Sequence, residues 1–245
     1  MIRYWIGALI FSVAIVAAAV ILGGTWRKTH ETKEMIKVVG LAEKEFMSDL
    51  VVWSGSFTRR MMTVQESYAA LKKDAETIKQ YLVSKGVNAK EITFSAVRSE
   101  KEYRSVYNDK GMVVDRVFEG WRLSQSVDIE SNEVDKIEMV AREVTELLNM
   151  GVEFDSYAPR YYYTKLAQLK LDMLAAAATD ARKRAETIAE NAGGGLGGLR
   201  NAAMGVFQIT APYSEDEDYE YGGTLNTSSK PKKASITARL EFSID

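Results

Sequence analysis

The sequence predicts an α+β fold: two strand–helix–hairpin halves joined by a helix, mostly antiparallel sheet, after one N-terminal transmembrane helix. Three observations lead there. An apolar run near the start is long enough to cross a bilayer. Two later segments carry apolar residues at helical spacing, each followed by β-rich stretches separated by turn residues. The order of these segments then repeats along the chain, as an internal duplication would.

The first element is the run from Tyr4 to Leu22, where only Gly7 and Ser12 are not apolar. At about 1.5 Å per residue these 19 residues span roughly 28 Å, close to the hydrocarbon thickness of a bilayer. Trp5 and Trp26 sit at its two ends, suited to the headgroup level. A cleaved signal peptide is the rival reading, since Arg3 precedes the run. The run exceeds the ~7–15 residues of a signal h-region, and Ala17, Ala18 and Ala19 lie inside it with Val20, Ile21 and Leu22 to follow. Residues 1–26 are therefore expected to be a membrane anchor or signal-like segment, 27–34 a linker, and 35–245 the folded domain. Lipid bilayer is the expected partner of residues 4–22. The flanking charges, Arg3 against Arg27, Lys28, Lys33 and Lys37, taken alone favour a cytoplasmic C-terminal domain.

Met35 to Gly40 reads as a short strand and Leu50 to Arg60 as a second. Thr63 and Glu66 form a capping box for a helix whose apolar face is Val64, Tyr68, Leu71, Ala75, Ile78 and Leu82, with Gly86 as its left-handed stop. Ile92 to Tyr107 and Val113 to Ile129 pair around the turn Asn108 to Gly111, with Trp121, Leu123, Val127 and Ile129 at a period of two. A connecting helix follows, with Val134, Ile137, Val140, Val144, Leu147 and Leu148 on one side and Gly151 after it. The pattern then recurs. Val152 to Tyr157 is a strand confined to an edge or an end by Pro159, Thr164 to Asn191 a long helix stopped by Gly193 to Gly195, and Leu199 to Ala211 and Ala234 to Ile244 are strands. Residues 213–233 are too polar to pack and are expected to be a mobile loop.

Three segments carry a family resemblance: the aromatic approach YYYT ending at Thr164, the core AAATDARKRAETIAENAGG, and the exit GVFQITAP. Together they resemble the SIMPL domain family over about Met35 to Asp245. The resemblance implies a bacterial cell-envelope protein with one N-terminal hydrophobic segment, a domain on the periplasmic side of the inner membrane, homo-oligomeric assembly, and a loose link to oxidative-stress protection. It implies no established reaction.

Composition removes several chemistries. With no Cys there is no thiolate nucleophile, disulfide framework or cysteine metal site. The single His, His30, excludes a Ser-His-Asp triad and a histidine-rich metal centre. A formal net charge of -2 gives no basic footprint, so no nucleic-acid partner is expected. No catalytic, metal or cofactor residues are assigned, and the chain is not read as an enzyme. The acidic run from Glu215 to Glu220 lacks the glycine and spacing of a calcium loop, and Gly193 to Gly198 ends a helix where a phosphate cradle would open one.

An interaction surface is expected instead, with Ala178, Ala181, Ala185, Tyr161 and Phe207 as its candidates. The alanine line permits close approach, either to the protein's own sheet or to another subunit. The ten methionines are read as scattered core filling in preference to oxidant sinks. Assembly is the leading function. The alternatives are an envelope ligand-binding module, signalled by an apolar groove beside Pro159 or Phe207, and an enzyme of unrecognised type in which Tyr, Lys and carboxylate groups converge.

Overall fold

A computed structural model describes residues 19–20, 34–214 and 223–244. The apolar run from Tyr4 to Leu22 lies outside them apart from Ala19 and Val20, and no helix among the described residues is long and apolar enough to cross a membrane. The described chain is a mixed α/β fold with mostly antiparallel sheets: ten strands and four helices. It divides into two compact units, one of Met1–Leu41, Ala177–Gly205 and Ala238–Asp245, the other of Ala42–Ala176 and Val206–Thr237.

The larger unit is built on a six-stranded sheet. Its spine is β2 (Leu50–Met61) paired antiparallel with β5 (Val113–Ser131), from Val51 opposite Ser131 to Met61 opposite Trp121. β3 (Ile92–Phe94) and β4 (Arg98–Tyr107) follow one another along the far side of β5, while β6 (Phe154–Ser156) and β7 (Arg160–Tyr162) do the same along β2. The single strand expected over Ile92 to Tyr107 is thus broken. The Ser95 amide donates to Ser126 and the Ser95 hydroxyl accepts from the Ser126 amide, which ends the ladder there. Pro159 divides the other edge in the same way, between β6 and β7.

Helix α1 (Val64–Ser84) starts where the capping box places it, with the Thr63 hydroxyl accepting from the Glu66 amide at 3.2 Å. The reciprocal bond differs from expectation, because Thr63 donates to the Glu66 carboxylate through its hydroxyl, at 2.8 Å. Its end is a Schellman motif: Val87 N–H donates to Leu82 and Gly86 N–H to Val83, with Gly86 at φ 87°. The buried face is Ser67, Leu71, Asp74, Ile78, Tyr81 and Leu82, so Tyr68, expected inside, is exposed. Leu71, Ile78 and Leu82 join Val51, Trp53 and Phe57 of β2, Leu123, Val127 and Ile129 of β5, and Val134, Ile137 and Val140 of α2 (Val134–Glu143) in one core. The connecting helix breaks after α2 and resumes as α3 (Glu146–Asn149), which turns Leu148 outward against expectation.

The second helix, α4 (Leu166–Asn191), begins two residues later than predicted. Thr164 is held outside it, donating its amide and hydroxyl to the Asp49 carboxylate at 2.7 and 2.8 Å. The helix ends as α1 does: Gly194 N–H donates to Ala189, Gly193 N–H to Glu190, and Gly193 has φ 83°. In the smaller unit its residues Ala181, Ala185 and Ala189 pack on Ile36 and Val38 of β1 (Met35–Met47) and on Leu240 and Phe242 of β10 (Pro231–Ile244). β1 runs seven residues past the short strand predicted for it. β10 pairs with β1 on one side and with β8 (Leu196–Met204) and then β9 (Gln208–Thr210) on the other. Residues 205–207 oppose only 236–237, and that mismatch splits the strand expected over Leu199 to Ala211.

The repeat is real in order but not in pairing. In the first half β5, the last strand of the hairpin, pairs with β2, the strand that precedes the helix. In the second half β10 pairs with β1, and the strands that precede the helix, β6 and β7, lie along β2 instead. Two further expectations fail. Residues 224–229 of the polar segment do pack: Thr224 accepts from Ile209 N–H, Asn226 N–H donates to Ile209, and Thr227 accepts from Tyr161 N–H at 2.7 Å. The ammonium of buried Lys232 holds that segment by donating to the carbonyls of Asn226 and Ser229, at 2.6 and 2.8 Å. The mobility expected of residues 215–222 falls outside the described residues. The methionines, expected inside, are mostly on the surface.

Candidate functional site

β4 and the first half of β5 form an exposed two-stranded ribbon in the larger unit. Its turn is fixed by Asn108, whose side-chain oxygen accepts from the amides of Lys110 and Met112, both at 3.0 Å. Cross-strand partners share a face, so the pairing sorts the side chains. One face carries charge. Arg60 meets Glu102 at 3.2 Å and Glu119 at 3.5 Å, Arg104 meets Glu119 at 2.7 Å, and Arg122 also bonds Glu102. The opposite face carries the Tyr103 ring edge-on to Phe118 at 5.6 Å, with Lys101 over Trp121 at 5.2 Å, Ser105 paired with Arg116 and Tyr107 with Val113. This face continues the side of β5 that bears Leu123, Val127 and Ile129, but none of the described helices covers it: Tyr103 is 50% and Tyr107 62% exposed. A two-stranded ribbon is marginal on its own, and one with an uncovered apolar face more so.

The candidates for an interaction surface fall in both units, Ala178, Ala181 and Ala185 in the smaller and Tyr161 and Phe207 in the larger. Ala181 and Ala185 are fully buried against their own chain, and Ala178 is half-buried beside them. The alanine line therefore serves intramolecular packing, the first of its two readings. A Cβ on Gly40 of β1 would lie 2.1 Å from the Ala177 carbonyl oxygen and 2.5 Å from the Ala181 nitrogen, which measures how near that strand comes. Tyr161, in the other unit, is buried in β7 opposite Val51. Phe207 is half-buried with the Lys170 ammonium 5.2 Å from its ring centre.

Tyr161 does belong to a polar cluster that no spacing in the sequence announces. Lys230 bonds Asp135 and lies 3.1 Å from Glu138, and Glu138 also bonds Arg142. A cavity of about 310 Å³ opens beside them, lined among others by Glu138, Arg142, Tyr157, Pro159 and Tyr161. Burial, reinforced by the Glu138 charge, pushes the Tyr161 hydroxyl above its ordinary range. Hydrogen bonds to Asp135 and Glu138 push the Lys230 ammonium up. Burial alone would raise Glu138, but the hydrogen bonds from Lys230 and Arg142 outweigh it and hold the carboxyl below its usual range. Each shift carries a pKa further from neutral pH, whereas an acid–base catalyst is tuned toward the working pH. The cluster is built as an ionic clasp between α2 and the start of β10.

Residues 36–244 match the family described as SIMPL, protein of unknown function (DUF541). This chain belongs to the SIMPL family. No curated protein matches it. The SIMPL match opens one residue into β1 and closes on the last residue of β10, so both sheets, both long helices and the ribbon lie within a single family unit.

Proposed function

We propose that this SIMPL protein is a single-pass protein of the bacterial inner membrane, anchored by residues 4–22, whose periplasmic domain acts by homo-oligomeric assembly in protection against oxidative stress. The length of the apolar run supports an uncleaved anchor, as does the want of a clean small-x-small site after it. The family resemblance favours the periplasmic side. The count of flanking positive charges opposes it, in a rule that long domains weaken.

The observation that carries assembly is the uncovered face of Tyr103, Tyr107, Val113 and Phe118. A second copy bringing the same face can bury it by an isologous contact, with the charged face left to solvent. Full-length protein in detergent, measured by light scattering, is expected to be a multiple of the chain mass. Replacing Tyr103 and Phe118 together by Lys is expected to reduce the multiple while leaving the melting midpoint in place. A wild-type monomer would remove the assembly reading; an unchanged multiple in the variant would move the interface off the ribbon.

A second reading, an envelope ligand-binding module, draws on the cavity beside Pro159. Its apolar part is small, Ala141, Ala158 and Pro159 between tyrosines, and the rest is the ionic clasp.

A further inference from the structure

Methionine is among the residues most often fully buried, because its flexible thioether fills core gaps. Here the reverse holds. Of ten methionines, Met1 lies outside the described residues, and eight of the other nine are exposed; Met173 alone is buried, at 3%. Their places are systematic. Met35 and Met47 open and close β1, Met61 ends β2 with Met62 after it, and Met204 ends β8. Met150 caps α3 and Met139 stands on the outer side of α2. Met112 is at the ribbon turn, where assembly would cover it, and is set aside.

None of the seven others belongs to either of the two cores described above. Their polarity can therefore change without opening a cavity or burying a polar group. With no cysteine in the chain, no thiol competes with these thioethers for an oxidant.

We propose that the seven exposed methionines outside the ribbon form a surface sink for two-electron oxidants of the hypohalous acid class. The thioether sulfur attacks hypochlorous acid. An S–O bond forms and the O–Cl bond breaks, sulfur loses two electrons to become the sulfoxide, chlorine leaves as chloride, and the proton passes to water. The polar sulfoxide stays in solvent on an unchanged fold, where methionine sulfoxide reductases of both stereospecificities can return it to the thioether at the expense of a thiol pair. The proposal rests on the oxidative-stress part of the reading above and gives it a chemistry.

The test titrates full-length protein in detergent with hypochlorous acid, followed by peptide mass spectrometry and thermal melts. The seven are expected to gain one oxygen each before Met173 does, without loss of the melting midpoint, and the paired reductases are expected to remove it. Met173 modified in step with the others, or a midpoint that falls with the first equivalents, overturns the sink. A chain carrying Leu at all seven positions, close to volume-conserving exchanges, is expected to melt like the wild type and to consume correspondingly fewer equivalents; equal consumption overturns it. In cells the two ideas separate. A strain lacking the chain is expected to be sensitive to hypochlorous acid and not to be rescued by the seven-leucine form. Full rescue by that form overturns the sink and leaves the oxidative-stress reading standing. A deletion strain with no sensitivity removes that reading, and the sink's role with it.

Discussion

Arg59 shows how single side chains tie this fold together. Standing on β2, it bonds the Asp74 carboxylate of α1 through two nitrogens, one at 2.9 Å, and also donates to the carbonyl of Gly151. Asp74 is buried, whereas the Arg59 side chain keeps about a quarter of its surface in solvent. Replacing Asp74 by Ala leaves a guanidinium mostly withdrawn from water without its carboxylate. The expected loss is about 3 kcal/mol, the lower end for breaking a buried pair because Arg59 keeps some hydration. For a domain of this size that is roughly 6–12 °C in melting midpoint. A midpoint within a degree or two of wild type would reduce the contact to an ordinary surface pair. Neither residue stands out in the sequence, and the reason is physical. Apolar spacing announces a helix but fixes its rotation only loosely, so Tyr68 looked inward. In the fold Ser67 and Asp74 take the buried stripe, since Ser67 bonds the carbonyls of Thr63 and Trp121 and Asp74 has Arg59.

At the scale of elements, local chemistry was legible and partner choice was not. The helix start at Thr63 and the glycine stops at Gly86 and Gly193 follow from neighbouring residues alone, and each falls where it is read, though the Glu66 half of the capping box bonds the Thr63 hydroxyl in place of its amide. Which strand β10 would pair with depends on contacts 200 residues apart, and no local signal sends β1 there while β6 and β7 go to β2. The alanine line was visible, but its cover was not: it lies in Gly40, which reads as an unremarkable residue at the end of a short strand. β1 passes over α4 so closely that the obstacles to a Cβ at Gly40 are backbone atoms of the helix and the Cβ of Ala181, at 2.8 Å. Neither can rotate away. Gly40→Ala is therefore expected to force strand and helix apart and to cost about 2–3 kcal/mol, read as a fall of roughly 4–12 °C in melting midpoint. A variant that melts with the wild type would mean that this contact is looser than the geometry states.

On the scale of the whole molecule, β1 joins the folded domain to the chain that carries the proposed anchor. The charges and composition of residues 27–34 read as a linker, and at the last of these residues the Glu34 carbonyl accepts from Ile244 N–H at 3.1 Å. From there β1 is bound along its length. Lys37 pairs with Glu241 at 3.0 Å, Leu41 N–H donates to the Asp180 carboxylate at 3.0 Å, and Glu43 pairs with Lys233 at 2.9 Å. Ile36 and Val38 supply the β1 part of the alanine-lined core. A chain beginning at Lys28 should thus fold without the apolar run 4–22, keeping the melting midpoint of the full-length protein and remaining in solution without detergent. A chain beginning at Ser48 loses the buried Ile36 and Val38 side chains, worth roughly 1.5–3 kcal/mol each, and buried Ala42 with them, and it leaves β10 with an open edge of the kind that recruits other chains. It is expected to aggregate or to lack a cooperative melt by circular dichroism. Should the Ser48 form melt cooperatively at the wild-type temperature, β1 would be an accessory strand, and the exchange of strands between the two halves would have no part in stability. Should the Lys28 form fail to fold, the apolar run itself would be part of the domain.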